Sequence, residues 1–150
     1  MQRNIPILIL LLFALTALAR SLVEDKTIDQ LKAEAEKADS GQQAKLYAEV
    51  AERLVEVADV QFTNGDAIHG HATIQEVLQY AIKAHDRAIS TRKKMKETEI
   101  HLRNTQRRLE SLKRTLAAED RPALEAVEKQ LAQFRQDILD AMFAPKKEQK

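Results

Sequence analysis

The sequence predicts an all-α fold, an elongated antiparallel helical bundle or coiled-coil hairpin built around one long central helix. Three observations predict it. The 150 residues contain only three glycines and three prolines, so few positions stop a helix. Capping-box signatures mark several helix starts. A seven-residue apolar repeat runs through the middle of the chain and indicates a helix that packs along one side.

The first nineteen residues have the order of a secretory signal peptide. Arg3 is followed by an apolar stretch at 5–18, and the segment ends in an A-x-A site at 17–19. A membrane-spanning helix needs about 20 apolar residues, so residues 1–19 predict a cleaved signal rather than a retained anchor. We therefore expect an exported protein, periplasmic or extracellular, with no stable membrane insertion after cleavage.

Residues 20–143 form the predicted helical domain. The capping box Thr27-Ile28-Asp29-Gln30 opens a short first helix, and Ser40-Gly41-Gln42-Gln43 opens a second at about 42–63. Residues 122–143 carry an apolar stripe at three- and four-residue spacing, which predicts a final helix with Asp120 as its cap and Pro122 in its first turn. The polar residues 144–150 predict a disordered tail.

The central helix is predicted at about 73–119, although Asp66 is an alternative cap for an earlier start. From Thr73 onward no glycine or proline interrupts it before Pro122. Its seam consists of residues seven apart, which are Ile74, Ala81, Ala88, Met95, Leu102, Leu109 and Leu116. The short loop after it predicts that the final helix folds back along its distal half, as the second helix does along its proximal half. The interaction role inferred below depends on this uninterrupted helix.

Charge is distributed unevenly along the chain. Residues 24–66 hold 11 acids and 5 bases, whereas residues 86–114 hold 4 acids and 10 bases. Opposite fields attract, so we expect the two blocks to face each other within the fold or between protomers.

The central helix carries a predicted basic stripe opposite its seam. Its residues are Lys93, Lys96, Arg103, Arg107 and Arg114. Such a stripe could contact phosphate, lipid headgroups or an acidic protein. No aromatic residue lies between Tyr80 and Phe134, so base stacking has no platform, and together with export this argues against nucleic acid.

Histidine supplies the one site-like grouping. Asp66, His69 and His71 could converge on Zn²⁺ or Cu²⁺ if their segment is a turn. Residues two apart diverge on a helix, so a solvated turn is the competing interpretation. His85 and His101 are interpreted as ordinary positions on a helix face.

The sequence favours a non-enzymatic interaction or scaffold protein without a cofactor. The chain has no cysteine, which excludes thiolate metal sites and cysteine nucleophiles, and no glycine-rich phosphate loop or nucleophile elbow. A protein partner is expected, and so is self-association, because one chain is not expected to cover so long a seam. The alternative is a metal-binding protein that uses the turn at His69 and His71.

Overall fold

The computed structural model describes residues 26–144, and this part of the chain is helical without any strand. The predicted signal peptide at 1–19 and almost all of the predicted tail at 144–150 lie outside it. Five helices pack together: α1 (Ile28–Lys37), α2 (Ser40–Thr63), α3 (Ala67–Thr91), α4 (Met95–Thr115) and α5 (Arg121–Phe143). The all-α prediction is confirmed.

The helix ends follow local chemistry, though not always through the predicted residue. Thr27 and Gln30 form the predicted capping box, with the Gln30 backbone N–H donating to the Thr27 hydroxyl at 3.2 Å. Asp39 rather than Ser40 caps α2, by accepting from the Gly41 backbone N–H at 2.8 Å. Asp120 does not cap α5 through its side chain, whereas Pro122 does lie in the first turn of that helix.

The prediction of one uninterrupted helix at about 73–119 is wrong. Asp66 caps a helix that starts at Ala67 and ends at Thr91, and a second helix starts at Met95. Arg92 and Lys94, in the three-residue connection between them, adopt the left-handed conformation, with φ of 53° and 55°.

Packing explains the break. An unbroken helix would be about 70 Å long and would run far past α2, whose 24 residues span about 36 Å. Folding back buries Leu102, Leu109 and Leu112 of α4. Each buried leucine contributes about 1.5–3 kcal/mol, which exceeds the roughly 1–2 kcal/mol that each left-handed residue costs.

The contacts between helices define how the chain is arranged. α2 packs against α3 and α4, α5 packs against the same two helices, and α1 packs on α2. Glu52 contacts His101 and Glu56 contacts Arg108, so α2 and α4 run in the same direction. α3 and α4 contact each other much less than either contacts α2, because they lie diagonally across the assembly.

Buried alanines are numerous on α2 and α3, the two helices with the most extensive mutual contact. Fully buried alanines of these two helices are Ala44, Ala48, Ala51, Ala58, Ala81, Ala84 and Ala88. Small side chains let two helix axes approach closely, towards the lower end of the usual 8–10 Å. We call this contact the alanine seam.

The heptad positions predicted from the sequence are buried within the chain itself. Ile74, Leu102 and Leu109 are each 0% exposed, and α2 and α5 supply the helices that cover them. The heptad repeat is therefore no longer a reason to expect self-association. Any interaction role has to be argued from the side chains that remain exposed.

Candidate functional site

The predicted metal ligands do not come together as a set of three. Asp66 caps α3, and its carboxylate lies 2.7 Å from His69 Nδ1 at an exposed position. The His69 backbone N–H and then its imidazole hold the pKa of Asp66 below its ordinary value. His71 instead places Nε2 2.7 Å from Asp120 Oδ1, with its ring edge-on to Phe62. Within residues 26–144, no three His, Cys, Asp or Glu side chains are grouped to hold a metal ion.

The other two histidines also face carboxylates on neighbouring helices. His85 stacks on the Phe134 ring at 4.8 Å between centroids, with its Nε2 3.2 Å from Asp137 Oδ2. His101 Nδ1 lies 2.7 Å from Glu52 Oε2. Both residues lie on helix faces, and each takes part in a contact between helices: His85 between α3 and α5, and His101 between α2 and α4.

Part of the charge asymmetry is used between α2 and α4. Arg108 Nη2 lies 3.3 Å from Glu52 Oε1, and the same guanidinium reaches Glu56. Burial alone would raise the pKa of Glu52, but the hydrogen bond to His101 and the positive charges of His101 and Arg108 outweigh it, so this pKa lies below its ordinary value. The acidic and basic blocks thus meet at this helix contact.

This arrangement predicts a pH dependence of stability. A carboxyl whose pKa is lower in the folded state stabilises the fold above its unfolded pKa of about 4.3 and loses that contribution as pH falls through the folded value. We expect E52Q to be less stable than the parent protein at pH 7, by about 1 kcal/mol, and to lose less stability on acidification. Urea denaturation at a series of pH values measures the stability difference at pH 7 and the loss of stability on acidification. E49Q, on the same helix, is the control; parallel pH curves for E52Q and the parent would contradict the prediction.

The predicted basic stripe is largely unneutralised. Lys96, Arg103, Arg107 and Arg114 lie on α4 at spacings of seven, four and seven, which places them on one side of the helix, opposite Leu102 and the other buried positions. We call these four residues the basic face. Lys93 is exposed in the connection before α4 and not on the helix.

Ion pairing separates the basic face from the rest of α4. Within the described residues, Lys96, Arg107 and Arg114 have no carboxylate partner. Arg103 comes only within 3.8 Å of Glu99, whose other oxygen is already bound by Arg135. By contrast Lys113, towards α5, is paired with Glu128 at 2.6 Å.

A cluster that sequence reasoning missed joins α1 to α2 and α3. The Tyr47 hydroxyl donates to Glu36 Oε2 at 3.0 Å, Lys83 Nζ donates to Glu36 Oε1 at 2.6 Å, and the ammonium lies near both Tyr47 and Tyr80 rings. The hydrogen bond to Glu36 raises the pKa of Lys83, which keeps the amine protonated and a poor nucleophile. Only the topology could have revealed this cluster, because its members lie far apart in sequence.

The cleft between α2 and α4 is small. It holds about 160 Å³ and is lined by Val55, Asp59, Arg108 and Leu112 among others. Small-molecule sites usually occupy 300–1,000 Å³, and the larger depressions beside α1 are open grooves. The cleft between α2 and α4 is therefore smaller than an ordinary small-molecule site.

No helix between residues 26 and 144 combines the length and the apolar character needed to cross a bilayer. Comparison of the chain with protein-family models, curated proteins and solved structures returned no match.

Proposed function

We propose that this chain is an exported, non-enzymatic interaction protein that binds an acidic protein surface through the basic face of α4. The observation that carries the proposal is this row of four cations: among the described residues, Lys96, Arg107 and Arg114 have no carboxylate partner, and Arg103 has only a distant one. The row extends over 19 residues, with about 27 Å of helix between Lys96 and Arg114. A rigid row of charges of this length steers and orients a complementary acidic surface.

The scaffold that we propose for this role is an antiparallel bundle of α2, α3, α4 and α5, with α1 on its outside. The parallel pairs α2–α4 and α3–α5 support it, since the connections between consecutive helices then reverse direction each time. Such a bundle holds α4 on two neighbouring helices and leaves its outer side free. The basic face can therefore meet a partner without unfolding.

An acidic protein fits the basic face better than a nucleic acid does. The face has no aromatic side chain that could stack on a base, since none occurs between Tyr80 and Phe134. Export, which rests on residues 1–19, also places the protein away from nucleic acid. A catalytic role has less support, because the hydrogen bond to Glu36 keeps Lys83 protonated in the polar cluster that it forms with Glu36 and Tyr47.

Charge reversal on the basic face tests the proposal. We expect R103E/R107E to reduce capture of the partner from an envelope fraction at least about 10-fold, because both substitutions place like charges against an acidic surface. K129E/R87E, which reverses two exposed cations elsewhere, is the matched control. Proteins retained by the parent and the control but lost from R103E/R107E are identified by mass spectrometry. Identical capture by all three proteins overturns the proposal.

A further inference from the structure

The connection between α3 and α4 holds two residues in a conformation that their side chains disfavour. Arg92 has φ 53° and ψ 25°, and Lys94 has φ 55° and ψ 23°. Glycine usually occupies such positions, and for other residues the left-handed state is about 5- to 30-fold less populated than the right-handed helix. We call residues 92–94 the hinge.

The sequence on both sides of the hinge favours a continuous helix instead. No glycine or proline occurs between Gly70 and Pro122. Ala81, Ala88, Met95, Leu102 and Leu109 are all buried and lie seven apart, so the apolar repeat continues in phase through the break. No side chain caps the start of α4 at Lys94. Local preference and tertiary packing therefore disagree at the hinge.

Apart from the Arg92 guanidinium, which donates to the Ala141 carbonyl oxygen of α5, the contacts that hold the folded-back helices are made by residues outside the hinge. α4 meets α2 through pairs such as Glu52 with His101, and α5 meets α3 through pairs such as His85 with Asp137. Direct contact between α3 and α4 is slight by comparison. A second copy of the chain can supply the same α4–α5 hairpin to the same α2–α3 surface, with every one of these pairs kept.

We propose that two copies of the chain exchange their α4–α5 hairpins. The α2–α3 surface of each copy then binds the hairpin of the other copy. The hinge straightens in both copies, and α3 and α4 join into one helix over residues 67–115, about 74 Å long. The exchange relieves four left-handed residues and makes α4 of each chain pack on α2 of the other. It goes beyond the proposed function, because the basic face stays exposed in both forms.

A matched pair of variants at Lys94 tests the exchange. K94A and K94G both remove the contact of Lys94 with Glu97, and they differ in backbone preference alone. Glycine tolerates the left-handed hinge, whereas alanine favours the continuous helix. We expect the equilibrium between the left-handed and the straightened hinge to differ at least 10-fold between the two variants. The dimer contains two hinges, so its Kd should be about 100-fold lower for K94A than for K94G.

The measurement is sedimentation or light scattering over a concentration series, after refolding from denaturant so that the chains can exchange. More dimer for K94A than for K94G supports the exchange. If both variants and the parent remain monomeric throughout, or dimerise equally, the proposal is overturned.

Cross-linking separates hairpin exchange from simple face-to-face pairing. The natural chain has no cysteine, so E52C/H101C carries the only two thiols, at positions whose side chains meet between α2 and α4. A short bis-maleimide joins two chains covalently in an exchanged dimer and closes a loop within one chain otherwise. A dimer fraction that gives only monomer bands under denaturing conditions overturns the exchange. R103E/R107E should leave the dimer unchanged, so failure of the proposed function and failure of the exchange are distinguishable.

Discussion

Replacing Arg135 with alanine is expected to lower the free energy of unfolding by about 2–3 kcal/mol. Glu99 is 7% exposed, and Arg135 donates to its Oε1 from Nε at 3.1 Å and from Nη2 at 2.9 Å. Breaking a buried ion pair on one side costs about 3–5 kcal/mol, because it leaves an uncompensated charge. The Arg135 side chain is 24% exposed, which reduces the expected loss. Arg103, 3.8 Å from the other oxygen, is too distant to replace it.

The control for this prediction removes both charges. Replacing a buried ion pair by apolar residues is often nearly neutral, so E99L/R135L should recover most of the stability that R135A loses. Urea denaturation measures the free energy of unfolding for each protein. A loss below 0.5 kcal/mol for R135A, on the order of an ordinary surface substitution, would show that the pair is not needed.

The second large effect is expected at Leu102, where alanine should cost about 3 kcal/mol. Its side chain is 0% exposed and faces the interior from the middle of α4. Truncation of a buried leucine removes its transfer free energy and leaves a cavity that the neighbours only partly fill, with typical losses of about 2–5 kcal/mol. The midpoint of thermal unfolding should fall by roughly 10 °C for a domain of this size.

Val60 supplies the comparison for Leu102. It is 60% exposed on α2, so V60A should change stability by less than about 0.5 kcal/mol. Calorimetry measures the stability of L102A and V60A, and circular dichroism verifies that both variants are folded and helical. Equal stability of L102A and V60A would mean that α4 is not packed as described.

The sequence could predict helices better than it could predict where they turn. The capping box at Thr27 and the glycine turn at Gly65 have local signals, and both are present in the structure. The hinge at residues 92–94 has none, because it contains neither glycine nor proline and interrupts an apolar repeat that stays in phase. Its conformation is imposed by packing between distant segments, and local sequence patterns carry no information about such packing.

The same limit explains the outcome for the candidate sites. Seven- and four-residue spacing was enough to place Arg103, Arg107 and Arg114 on one side of α4, because that arrangement depends on a single helix. The contacts of His71 with Asp120 and of His101 with Glu52 each span 49 residues. They depend on which helices lie side by side, and this followed from the unpredicted hinge.

The alanine seam divides the molecule by how freely its residues can vary. Ala48, Ala51 and Ala84 are fully buried, so almost any exchange at these positions adds volume to a packed interior and is expected to be destabilising. The leucine-rich contact of α4 with α5 admits swaps among Leu, Ile and Met at modest cost. Over evolutionary time the residues of α2 and α3 should therefore change less than those of α4 and α5.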